Sequence, residues 1–156
     1  SEPVYLDEVV HRALVTLTSS GPDTARSIRE RVEVDVDDAQ VQADSALLER
    51  ALANLLDNAL RYAPTGPIRV GATCGNDRVT VTIADSGPGL ADSEHDDVFS
   101  TFPRSGDQRA AGGAGLGLTV ARGLVEAMGG TVTAADTPGG GTTMMVELAA
   151  PHEDQR

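Results

Sequence analysis

Apolar residues Leu6, Val9, Val10, Ala13, Leu14 and Leu17 recur at spacings of three and four, which predicts an amphipathic helix over about 4–19, ended by Ser19-Ser20-Gly21-Pro22. From Ile28 to Val36 the pattern changes to period two, with Val32, Val34 and Val36 alternating with acids, as expected of a half-buried strand. A short strand over about 39–43 follows a turn at Asp37-Asp38. Asp44 or Ser45 then caps a long helix that runs to about Ala63 and stops before Pro64. Segments 68–74 and 79–84 read as a hairpin joined by Gly75-Asn76-Asp77. No period is sustained over 85–114, a stretch too long for a passive loop and therefore read as a functional lid. A helix over 116–128 closes at Gly129-Gly130, and strands over 131–135 and 142–148 flank a glycine turn.

Three helices and five or six mostly hairpin-connected strands predict an α+β fold, a two-layer sandwich in which the helices cover one face of a mixed five-stranded sheet. The 156 residues suffice for one domain with its own core, taken as 1–150 with a polar tail at 151–156. No apolar run approaches the roughly 20 residues that span a bilayer. Charge narrows the partners: 24 acids against 12 bases, a formal net charge of −12, argue against a nucleic-acid ligand. The single cysteine, Cys74, has no disulfide partner, and His11, His95 and His152 have no zinc-ligand spacing, so a reducing, cytoplasmic setting is expected.

Four clusters can carry chemistry. On the helix over 45–63, Leu48, Leu52, Leu55, Leu56 and Ala59 cover one side, while Asn54, Asn58 and Arg61 fall within about 60° of one another on the other, next to Asp57. Amide oxygens are hard, neutral Mg²⁺ ligands and a guanidinium neutralises phosphate, although the same stripe also suits the outer face of an ordinary helix. Asp85-Ser86-Gly87-Pro88-Gly89 follows a strand; its carboxylate can accept from an exocyclic amine while the glycines admit a flat base, or the segment is simply a turn. Gly112-Gly113-Ala114-Gly115-Leu116-Gly117-Leu118 opens a helix whose amides can bind phosphate. It lacks both the strand context of the dinucleotide fingerprint and the Lys of a phosphate loop. Between them lie Phe99 and Phe102, the only phenylalanines, which can anchor a lid or fill the core, and Arg104.

In order, these pieces resemble the ATP-binding catalytic domain of bacterial two-component sensor histidine kinases, in the gyrase, chaperone and mismatch-repair ATPase superfamily. Asn54-Leu55-Leu56-Asp57-Asn58-Ala59 with Arg61-Tyr62 resembles the N box, Asp85 to Gly89 the G1 box, Phe99 to Phe102 the F box, Gly113 to Leu118 the G2 box, and Gly139-Gly140-Gly141-Thr142 the last glycine motif. The resemblance covers nearly the whole chain and implies a Bergerat-type ATP-binding fold. It implies Mg²⁺ on Asn58, with Asn54 beside it, and phosphate contacts from Arg61, Tyr62 and Arg104. The adenine amine would meet Asp85 supported by Thr142, with Gly87 and Gly89 lining the base. Gly113 and the amides of Gly115, Leu116, Gly117 and Leu118 would hold the phosphates. Residues 86–114 would form the lid.

The implied function is transfer of the γ-phosphoryl group of ATP to a histidine on a separate dimerisation domain, with a response regulator downstream and a parent protein anchored in the inner membrane. Ser100, Pro103 and Ala114 depart from the family's usual residues, and none of the three histidines has the neighbours of a phospho-acceptor. Asn54 stands where water-activating relatives place a Glu base, so rapid intrinsic hydrolysis is not expected. An anti-sigma-type serine kinase or related ATPase, and a nucleotide-sensing module without transfer activity, remain alternatives on the residues alone.

Overall fold

Alternation builds the sheet. The computed structural model describes residues 1–63, 65–86, 114–137 and 140–151. Along β4 (Ile68–Cys74), β5 (Arg78–Ala84) and β7 (Thr142–Ala149) the residues Ile68 and Val70, Val79, Val81 and Ile83, and Met144, Val146 and Leu148 are buried. Register places Ile83 opposite both Val70 and Met144, and Val81 opposite Val146, so one sheet face is a continuous apolar surface. With β2 (Val32–Asp35) and β6 (Thr131–Asp136) the order is β2-β4-β5-β7-β6; β2 pairs parallel to β4 and the other pairings are antiparallel. A second, two-stranded sheet joins β1 (Glu2–Tyr5) to β3 (Gln40–Ala43).

Four helices among the described residues, α1 (Leu6–Thr18), α2 (Pro22–Arg31), α3 (Ser45–Tyr62) and α4 (Ala114–Ala127), pack on the mixed sheet. The core joins Leu6, Val9, Val10 and Ala13 of α1 to Leu48, Leu52, Leu55 and Leu56 of α3, to Leu118, Ala121 and Val125 of α4, and to the apolar face of the sheet. The central helix α3 is well started: the Asp44 carboxylate accepts from the amides of Ala46 at 3.0 Å and Leu47 at 3.1 Å, satisfying two donors that a helix start leaves unpaired. Its neighbours are α1 on one flank, where Arg12 pairs with Glu49 at 3.0 Å, and α4, against which it packs extensively.

The α+β sandwich is therefore as expected, with two differences. Pro22–Arg31 is a helix, so the expected strand from Ile28 shrinks to Val32–Asp35. Pro22 at the first helical position presets φ, Asp23 lies at the positive end of the helix and Arg29 and Arg31 at the negative end, which together favour a helix that buries only Ile28. Residues 2–5, expected partly within the first helix, instead form β1, because their backbone pairs with β3. Strand β2 is also less buried than its alternation suggests: it lies at the sheet edge, and Val34 is 43% exposed although its register partner is the buried Val70.

Candidate functional site

The amide stripe of α3 is divided by its surroundings. Asn58 is only 3% exposed and its Oδ1 has no hydrogen-bond partner among the described residues. The stripe expected on the side away from the leucines is therefore not uniform, and the alternative of an ordinary outer face does not fit Asn58, which belongs to the buried arc with Leu55 and Ala59. It lies nine residues from Glu49, about 180° around the helix, and so opposite the flank that meets α1. Asn54, Asp57 and Arg61 keep an outward direction and line a groove of about 330 Å³ with Thr16, Leu17 and Arg50. Arg61 Nε donates to Asp57 Oδ2 at 2.9 Å, an exposed pair one helical turn apart. Tyr62, the last residue of α3, is half-buried and packs against the core.

At the end of β5, Asp85 is 7% exposed and is held by main chain on both sides. Its amide donates to the Thr142 carbonyl at 2.9 Å, and the Thr142 amide donates to its carboxylate Oδ1 at 3.0 Å. Thr142 thus supports Asp85 through its backbone, across 57 residues of sequence. Gly141 makes this possible: at φ +103° it adopts a conformation that side chains disfavour, and a Cβ there would lie 2.0 Å from the Asp85 carbonyl oxygen. A second close approach ties this strand end to α3. Gly66, at φ +90°, lies so close that a Cβ would displace the Ser86 hydroxyl, and that hydroxyl donates to the Thr65 carbonyl at 3.3 Å. Tyr62 and Asp85 therefore approach the same junction, one from the exit of α3 and the other from the exit of β5.

Helix α4 contributes its N-terminus. An α-helix starting at Ala114 leaves the amides of its first three residues, Ala114, Gly115 and Leu116, without intrahelical acceptors. Gly117 and Leu118 lie past these donors, and the Leu118 side chain is fully buried in the core, where it fixes the first turn of α4. Among the described residues, a Cβ at Gly117 would meet nothing within 4 Å.

Gly87, Gly89, Arg104 and Gly113, with Phe99, Phe102, His95, residues 87–113 of the expected lid and the tail from 152, lie outside the described residues, as does Gly139, while Ala114 at the far end of the expected lid opens α4. Sequence reasoning missed Arg31, which donates from Nε to the Gly66 carbonyl at 2.8 Å and from its terminal nitrogen to the Ala63 carbonyl. Side chain-to-carbonyl contacts of this kind leave no spacing signal. The Asp57–Arg61 pair was readable from its spacing.

Among the described residues, no group of three or more His, Cys, Asp and Glu side chains could hold a metal ion, and no helix is long and apolar enough to cross a membrane.

Comparison with known proteins agrees with this architecture. Residues 43–152 match the family model described as "Histidine kinase-, DNA gyrase B-, and HSP90-like ATPase". The sensor protein KdpD of Mycobacterium tuberculosis is 51% identical over 149 residues, covering 96% of this chain and 17% of the relative. The chain thus spans about a sixth of the length of that curated relative. Among solved structures, the mycobacterial sensor histidine kinase MprB superimposes with a TM-score of 0.70 at 32% identity, covering 96% of this chain and 97% of that one. Full-length ShkA in complex with AMPPNP does so with a TM-score of 0.73 at 26% identity, over 96% of this chain and 31% of that one. On its fold and on the extent of the match, the chain belongs to the histidine kinase-, DNA gyrase B- and HSP90-like ATPase family.

Proposed function

We propose that residues 1–150 are the ATP-binding catalytic unit of a sensor histidine kinase, which transfers the γ-phosphoryl group of ATP to a histidine on a separate dimerisation domain. The observation that carries this reading is the Asn58 amide oxygen, buried and without a partner among the described residues, on a helix whose exit meets that of the Asp85 strand. A buried acceptor left unpaired costs roughly 1–3 kcal/mol, a cost that is offset when a ligand supplies the partner.

That oxygen fits magnesium. It is a hard, neutral donor, and a Mg²⁺ site commonly takes one or two protein ligands, with nucleotide phosphates and water completing the shell. Asn58 would hold the ion, with Asn54 one turn away acting directly or through water. When bound, the ion neutralises charge on the phosphate oxygens. Arg61 and Tyr62 at the end of α3, Arg104 in the lid, and the amides that open α4, Gly115 and Leu116 among them, would bind the phosphates. Arg61 must exchange its bond with Asp57 for one with phosphate, at small cost because both groups are exposed. Asp85, oriented by the Thr142 amide, would accept from the adenine amine, with Gly87 and Gly89 beside the base. The imidazole nitrogen of the acceptor forms the new bond to γ-phosphorus as the bond to the β,γ-bridging oxygen breaks and ADP leaves. This is chemistry governed by positioning and charge. With Asn54 at the position of a general base, the chain contributes no carboxylate there to activate water.

The parent protein is proposed to sense its stimulus at the inner membrane and to pass the phosphoryl group to a response regulator, with this unit working in the cytoplasm. The test is incubation of the chain with the histidine-bearing dimerisation domain, Mg²⁺ and γ-labelled ATP. Acid-labile, base-stable label on the partner is expected. Tight nucleotide binding with no label on the partner would replace the kinase by a nucleotide-sensing module.

A further inference from the structure

Arg31 ends α2, far in sequence from every motif, yet it bonds to the turn that leaves α3. Its Nε donates to the Gly66 carbonyl at 2.8 Å and its terminal nitrogen to the Ala63 carbonyl. Among the described residues it makes no ion pair, so its two-pronged geometry is directed at two main-chain acceptors instead of a carboxylate. Ala63 is the C-cap of α3, and a cation there also complements the negative end of the helix dipole. The turn it holds lies against Ser86: a Cβ on Gly66 would displace the Ser86 hydroxyl, and Ser86 Oγ donates to the Thr65 carbonyl. Ser86 directly follows Asp85. The links thus run from α2, through the turn, to the strand end that carries the candidate base-binding carboxylate.

We propose that Arg31 is a positioning residue for the base pocket: by clamping the exit of α3 against Ser86, it sets the spacing between Tyr62 and Asp85. The role of that spacing rests on the nucleotide reading above. Arg31 touches no nucleotide; it acts through Ala63 and Gly66. Its loss would leave two carbonyls to water and let the α3 exit and the β5 exit drift apart. Discrimination between bases would suffer first, because it depends on where the Asp85 acceptor lies relative to the base edge.

The test compares Arg31→Ala and Arg31→Lys with Arg29→Ala, which removes the same charge from the same helical turn without touching the clamp. Calorimetry with ADP and GDP, and amide NMR of the unliganded chain, are the readouts. Arg31→Ala is expected to weaken ADP binding by about five- to twentyfold, to narrow the preference for ADP over GDP, and to shift the Ser86 and Thr142 amide resonances. Arg31→Lys keeps the charge but not the fork, so an intermediate loss is expected, while Arg29→Ala stays within about twofold of the parent. Parental affinity and preference in Arg31→Ala, or an equal loss in Arg29→Ala, would overturn the proposal. If Arg31→Ala does not fold, Arg31→Lys decides: parental affinity and preference in that variant overturn it. Absence of ADP binding by the parent chain would instead defeat the nucleotide reading, and the positioning role would then stand or fall on the Ser86 and Thr142 resonances.

Discussion

At the residue scale the most informative group is a polar one in the wrong solvent. Asn58 is surrounded by protein while its carbonyl oxygen goes unmatched among the described residues, a condition expected at a binding site and unfavourable elsewhere. Replacing it by leucine, which has the same branching and number of heavy atoms but bulkier methyl groups, removes the unmet acceptor. Asn58→Leu is therefore expected to keep or raise the melting temperature of the unliganded chain while weakening Mg-ATP binding at least about tenfold. Calorimetry and thermal melts on one sample check both halves, and unchanged Mg-ATP affinity would remove Asn58 from the metal site. Asp85→Asn can still accept from the Thr142 amide, but it also presents a donor to the base. ATP-over-GTP preference should fall roughly tenfold, measured by competition, with little change in fold. The wheel angles of Asn54, Asn58 and Arg61 were legible in the sequence. The burial of Asn58 was not, because angle alone does not say which neighbour covers a flank. The backbone role of Thr142 was equally hidden, since a main-chain amide looks the same in every residue.

Among the elements, legibility followed the strength of the local signal. Helix α3 announces itself by the Asp44 cap and a long apolar period, and the β4–β5 hairpin by alternation around Gly75-Asn76-Asp77. Helix α2 buries Ile28 alone, so periodicity is nearly silent there, and the alternating valines that follow drew the strand boundary back to residue 28. The glycine turn before β7 was legible as a turn, but its reason is a long-range contact: Gly141 gives the Asp85 carbonyl its space. Gly141→Ala must adopt a disfavoured φ and push that carbonyl aside. A loss of about 2–4 kcal/mol is expected, with a melting point lower by roughly 5–15 °C. A variant melting within a degree of the parent would show that β7 can shift freely against β5.

Over the whole molecule, charge opposes the anion that the site is proposed to hold. The net charge of −12 repels a nucleotide triphosphate at distances where Arg61 and the α4 amides are too local to matter. Raising ionic strength from about 0.01 to 0.15 M shortens the screening length from roughly 30 to 8 Å. The association rate of Mg-ATP, measured by stopped flow, should therefore rise with salt. A fall would mean that the local cations dominate the approach. The topology has a further consequence. The amide that holds the Asp85 carboxylate arrives 57 residues later, on the last strand of the sheet. A nascent chain still inside the ribosome tunnel from β7 onward would have the α4 amides but not the strand proposed to orient the base, so on that proposal ligand-assisted folding would begin only when β7 has emerged.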